Sequence, residues 1–153
     1  MIKYMNLIGI KARKASEYKV TTEVKNKVLN DYAKLIKNEK KFIINQNSKD
    51  INYARKKGLK ENLIKRLHLN ENKLDEIINS ILKIAKLRDP IDNTLDKWKR
   101  PNGLNIKRVS IPIGVVGVIY ESRPNVTSDV ASLCFKSGNV VILKGGSEAI
   151  NSN

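Results

Sequence analysis

Apolar residues in the first part of the chain recur at helical spacing. Over residues 22–38 they fall at Val24, Val28, Tyr32, Leu35 and Ile36, one face of a helix with 3.6 residues per turn. Ser48 is placed to cap a short helix carrying Ile51 and Ala54, with Gly58 to end it. Leu63, Ile64 and Leu67 mark another turn or two. The most regular stripe is Leu74, Ile77, Ile78, Ile81, Ile84 and Ala85. Asn70 precedes it as an N-cap, and Glu71, Asp75 and Glu76 lie near the positive end of the predicted helix dipole. Lys83, Lys86 and Arg88 fall near the other end, and Asp89-Pro90 stops the helix.

The period then changes. Residues 91–108 are polar and rich in turn formers, with Pro101-Asn-Gly103 the strongest turn signal. Residues 104–110 alternate apolar and polar, as a half-exposed strand does, and Trp98 before them reads as a packing anchor. Residues 115–120 form a short β-branched run, the mark of a strand buried on both faces of a parallel sheet. Pro112 and Gly114 suit an edge entry to it. After Pro124, Asn125 or Thr127 can cap a helix reaching about Ser137 and burying Val130, Leu133 and Cys134. Gly138 fits the position after its C-cap, and residues 140–143 form a second buried strand. The unit has the usual size of a βαβ crossover, roughly 30 residues. The expected fold is therefore α/β: a mainly helical segment, 1–108, with a strand near 104–110, packed on a first βαβ unit, 109–153, of an incomplete Rossmann-like parallel sheet.

Composition changes this picture little. The net charge is +15, yet residues 109–153 balance Arg123, Lys136 and Lys144 against Glu121, Asp129 and Glu148, so the whole excess lies in 1–108. A basic helical module that binds nucleic acid is the competing class. It is disfavoured because the lysines are spread over every helical segment with many Asn and Ile, and no aromatic stripe interleaves them. With a single cysteine, Cys134, no intrachain disulfide can form, and one histidine, His68, leaves no Cys/His zinc set. Cys134 lies mid-helix and His68 in the helical part, and both read as structural. No secretory signal and no apolar run of about 20 residues is visible, so the expected location is cytoplasmic.

Ligands of parallel α/β sheets bind outside the carboxyl ends of the strands. Two polar loops fall there: Glu121-Ser-Arg-Pro-Asn125 and Lys144-Gly-Gly-Ser-Glu148. The Arg123 guanidinium can hold phosphate or carboxylate, and the Asn125 amide can donate to a developing oxyanion. Equally, Arg123 can be a solvated charge and Asn125 a helix cap. Lys144 brings positive charge, Gly145 and Gly146 allow close backbone approach, and Ser147 or Glu148 can bond a ribose hydroxyl. The spacing matches neither common phosphate-binding glycine motif, so alone it is a weak signal.

Longer stretches are more specific. Residues 118–127 (Val-Ile-Tyr-Glu-Ser-Arg-Pro-Asn-Val-Thr), 133–139 (Leu-Cys-Phe-Lys-Ser-Gly-Asn) and 141–153 closely resemble γ-glutamyl phosphate reductase, also called glutamate-5-semialdehyde dehydrogenase, of the aldehyde dehydrogenase superfamily. Weaker similarity runs through Arg66-Leu67, Arg88-Asp89-Pro90 and Pro101-Asn-Gly-Leu104. Lys65 and Lys144 stand where that family often has Asp and Arg. The resemblance implies an aldehyde dehydrogenase-like fold. It also implies NADPH-dependent reduction of L-glutamyl 5-phosphate to glutamate 5-semialdehyde in proline biosynthesis, and a full-length form able to assemble as a homo-oligomer. There a cysteine thiolate attacks the acyl phosphate and hydride reduces the resulting thioester. Asn125 matches the oxyanion-stabilising position, although the loop is short and Arg123 can occupy that place instead. Lys144, with Ser147 or Glu148, matches the segment that contacts the cofactor's adenosine ribose, and Lys144 and Ser147 suit a 2′-phosphate. The family's nucleophilic cysteine lies far downstream of this segment, and Cys134 matches a different, helical position. The expectation is an N-terminal piece, inactive by itself, or a non-catalytic remnant needing a complementary chain.

Overall fold

The computed structural model describes residues 2–153. Five helices come first: α1 (Ile2–Ser16), α2 (Thr22–Asn38), α3 (Lys40–Lys56), α4 (Glu61–Leu67) and α5 (Glu71–Lys86). A hairpin of β1 (Thr94–Lys99) and β2 (Asn105–Val109) follows, then β3 (Val115–Ile119), α6 (Pro124–Lys136), β4 (Val140–Lys144) and a 3-10 turn at Ser147–Ala149. The architecture is α/β, and no described helix is long and apolar enough to cross a membrane.

Helix α5 forms as its sequence dictates. The Asn70 side chain accepts from the Lys73 N–H, and Leu74, Ile77, Ile78, Ile81, Ile84 and Ala85 are all buried. They meet Leu29, Ala33 and Ile36 of α2, with Phe135 of α6 packed against the cluster. Burying each large side chain contributes about 1.5–3 kcal/mol, so this three-helix contact carries much of the stability.

Helix α2 has the expected bounds but is rotated from the expected face. It buries Lys25, Leu29, Ala33 and Ile36, whereas Val24, Val28 and Leu35 are exposed. The reason is a partner that periodicity cannot reveal: Lys25 Nζ donates to Asp89 Oδ2 at 2.9 Å, and Thr22 donates to the same oxygen. Burial alone pushes the Asp89 carboxyl up, but the bonds from Lys25, the Ile91 N–H and Thr22 outweigh it and hold the carboxyl below its ordinary value.

Helix α3 starts at Lys40, directly after α2, because nothing between Lys40 and Lys57 breaks a helix. Ser48 is thus not a cap. It lies mid-helix, and its hydroxyl donates to the Ile44 carbonyl one turn back. Helix α6 also departs from expectation. It begins at Pro124 with Arg123 as N-cap and no side-chain cap, since proline is preorganised for the first helical position. Its buried residues are Pro124, Ser128, Ser132 and Lys136, while Leu133 is exposed and Cys134 half-buried. The serines keep the contact face small, and Lys136 Nζ donates to Ala85 O, placing a cation at the C-terminal end of α5. Gly138 follows the C-cap at φ +69°, a left-handed conformation in which any Cβ is strained.

Strand β1 lacks apolar alternation and was not expected. It forms by pairing antiparallel with β2, Trp98 opposite Ile106, while all six of its residues stay exposed. Trp98 therefore stands on the hairpin opposite Ile106, outside the core. Strands β3 and β4 pair in parallel, from Val115 opposite Val140 to Ile119 opposite Lys144, with α6 as the crossover. Helices α1 and α6 pack on the pair. The β3 run is nonetheless only half-buried, and Ile119 is 82% exposed, because these two strands form a sheet of their own.

Candidate functional site

The loops 121–125 and 144–148 lie side by side at the carboxyl ends of β3 and β4, where the Tyr120 N–H donates to the Lys144 carbonyl at 3.1 Å. Glu148 joins them. Its Oε1 accepts from both the N–H and the hydroxyl of Ser122, which is 3% exposed and held at φ +47°. Burial pushes the Glu148 carboxyl up, but the bonds from its own N–H and from Ser122, with the charge of Lys144 nearby, outweigh it and hold the carboxyl below the ordinary range. Two glycines lie close behind it: a Cβ at Gly146 would push the Glu148 carboxylate aside, and one at Gly145 would displace the Asn153 amide. A second tie runs from the Tyr120 hydroxyl to Thr127 (2.6 Å) and from Thr127 to Asn153 Oδ1 (3.0 Å).

The second loop is also seated on the helical layer. Asp50 of α3, only 1% exposed, accepts from the Ser152 N–H (2.7 Å), the Ser152 hydroxyl (2.6 Å), the Asn151 amide (2.7 Å) and the Asn151 N–H. It forms no ion pair among the described residues, so donors alone stabilise its charge. Asn47, one turn earlier, donates to the Leu67 carbonyl and the Ser152 hydroxyl and accepts from the Leu69 N–H. Ala149 fills the space among Ile51, Ala54, Ile64 and Leu67.

The candidate side chains remain presented to solvent. Arg123 is exposed, with no side-chain hydrogen bond or ion pair among the described residues. Asn125 is exposed in the first turn of α6, where its amide donates to Asp129 at 3.2 Å. Among the described residues Lys144 Nζ reaches only the neighbouring Gly145 carbonyl, and Ser147 is exposed at the start of the 3-10 turn. Ser122, Asp50 and Asn47 carried no sequence signal, because their partners lie 20 to 105 positions away. Cys134 sits half-buried on α6, where burial pushes its thiol up, and His68 is exposed at the end of α4.

No protein-family model matches the chain. Curated relatives do. It is 50% identical over 131 residues to the γ-glutamyl phosphate reductase of Nautilia profundicola, covering 86% of this chain and 32% of that protein. The crystal structure of the Thermotoga maritima γ-glutamyl phosphate reductase superposes with a TM-score of 0.89 at 43% identity, over 94% of this chain and 35% of that one. The Saccharomyces cerevisiae counterpart gives a TM-score of 0.92 at 34% identity, over 95% of this chain and 38% of that one. The chain spans about a third of the length of the relatives it matches. With this identity over nearly all of its residues, the chain belongs to the γ-glutamyl phosphate reductase family and corresponds to the N-terminal portion of its members.

Proposed function

We propose that these 153 residues supply the N-terminal part of a cytoplasmic, NADPH-dependent reductase that converts L-glutamyl 5-phosphate to glutamate 5-semialdehyde in proline biosynthesis. On this proposal residues 109–153 are the first unit of a Rossmann-like domain, and 1–108 are the segment that braces it. The observation that carries the proposal is the tie between Ser122 and Glu148, which joins two polar loops at the ends of parallel strands.

The residues present fit such a cofactor. Lys144 and Ser147 are exposed at a strand end and suit a 2′-phosphate, and Gly145 and Gly146 leave the backbone bare beside them. Both Ser122 bonds go to Oε1 of Glu148, so Oε2 takes neither of them and can accept from a ribose hydroxyl. When bound, the cofactor supplies hydride. On the other loop the unpaired Arg123 guanidinium forks onto the acyl phosphate. Asn125, in the first turn of α6, donates to the oxyanion that forms as the carbonyl is attacked. No thiolate for that attack comes from these residues, because the one cysteine is half-buried on a helix with its thiol pushed up.

A chimera in which this chain replaces the matching segment of the Thermotoga maritima reductase tests the cofactor half. Lys144→Ala should raise KM for NADPH about tenfold while leaving KM for NADH within about twofold. Equal effects on the two cofactors would remove Lys144 from 2′-phosphate recognition.

A further inference from the structure

A cleft of about 340 Å³ opens between α4, the first turns of α5 and the first turns of α6. Its floor is apolar, from the buried Leu69 and Ile77. Its walls carry both signs of charge: Arg66 and Lys73 against Glu76 and Asp129, with Ser80 and Asn125 between them. These charges do not neutralise one another. Every ion pair among the described residues uses Asp89, Asp31 or Asp75 as its acid. Lys73 Nζ is spent on the Lys65 and His68 carbonyls at the end of α4. Among the described residues Asp129 accepts only from Ser80 (3.1 Å) and Asn125 (3.2 Å), both neutral donors.

A guanidinium and two carboxylates therefore face one cleft without touching, over a greasy floor. A simple anion would meet Glu76 and Asp129, and a simple cation would meet Arg66. A dipolar ligand satisfies both. Resting on the function proposed above, we propose that this cleft holds the amino-acid head of the γ-glutamyl substrate. Arg66 takes the α-carboxylate, Glu76 and Asp129 take the α-ammonium, and the methylenes lie over Leu69 and Ile77. The cleft includes Asn125, one residue past Pro124 from Arg123, so the far end of such a ligand runs toward the loop assigned to the reacting phosphate. Arg66 and Asp129 thereby become residues that select an α-amino acid over a plain acyl phosphate.

The test uses the 153-residue chain and L-glutamate as probe, followed by backbone amide chemical shifts. Saturable shifts centred on Arg66, Glu76, Ser80, Asn125 and Asp129 are expected, while glutarate (no amine) and 4-aminobutyrate (no α-carboxylate) leave those amides unmoved. Arg66→Ala and Asp129→Asn should each weaken binding about tenfold, whereas Lys99→Ala on the hairpin should not change it. Glutarate binding as well as L-glutamate, shifts scattered over the lysine faces, or an Arg66→Ala chain with unchanged affinity would each overturn the proposal. Cleft binding of L-glutamate together with a folded but inactive chimera would sink the reductase assignment alone. An active chimera whose Arg66→Ala variant keeps its substrate KM would sink this proposal alone.

Discussion

Substituting Asn for Asp50 should free the loop that carries Lys144 and Glu148. The replacement keeps shape but swaps one carboxylate oxygen for an amide that faces donors. Asn151 is exposed, so its N–H and amide return to water at little cost. Ser152 is half-buried, and its N–H and hydroxyl, now at 2.7 and 2.6 Å from Asp50, lose a charged acceptor. Two such bonds are worth roughly 3–6 kcal/mol gross. Part of this is offset because a buried carboxylate without a cation no longer has to be desolvated. A net loss of about 2–3 kcal/mol remains, which at roughly 2–4 °C per kcal/mol lowers Tm by about 4–12 °C. Amide hydrogen exchange gives the local measure. The Asn153 N–H, bonded to the Ala149 carbonyl at 3.0 Å, should exchange about 30- to 150-fold faster. Protection of this amide within about threefold of the wild type, together with an unchanged Tm, would show that Asp50 does not hold the loop.

Other outcomes follow from the same contacts. The Asp89 carboxyl lies below its ordinary value, so its share of stability is present above pH about 3.9 and is lost as pH falls through the lower folded value. Acid titration of Asp89→Asn should accordingly show a shallower stability loss below pH about 4 than wild type, and an identical slope would remove the Lys25 pair as its cause. Gly146→Ala should displace the Glu148 carboxylate from Ser122 and speed exchange of the Ser122 N–H, with Tm changed less than in Ile81→Ala. Ile81, fully buried, should cost about 2–5 kcal/mol on truncation, read by chemical denaturation. Cys134 should react with iodoacetamide at pH 7 more slowly than free cysteine, and a faster rate would contradict its raised thiol pKa.

The parts legible in sequence were those whose causes are local. Asn70 caps α5, its stripe is periodic, and Gly138 punctuates the α6–β4 turn, so those elements and the parallel pair they lead to could be read directly. The face of α2 could not, since it turns on Lys25 meeting Asp89 64 positions later. Nor could the α6 face, where the small Ser128 and Ser132 win the buried side over the larger Leu133. The two loops were visible as polar segments after apolar runs, yet what braces them was not. Asp50 and Ser122 are ordinary residues until the fold brings Ser152 and Glu148 to them.

Turnover by the Thermotoga maritima chimera, followed as phosphate-dependent reduction of NADP with glutamate 5-semialdehyde, bears most directly on the claim that these loops build a reductase site. Activity comparable to the parent enzyme is expected, with Arg123→Ala lowering kcat/KM about 100-fold through loss of a bidentate contact to the phosphate. A folded chimera without turnover, or an Arg123→Ala chimera at full activity, would contradict it.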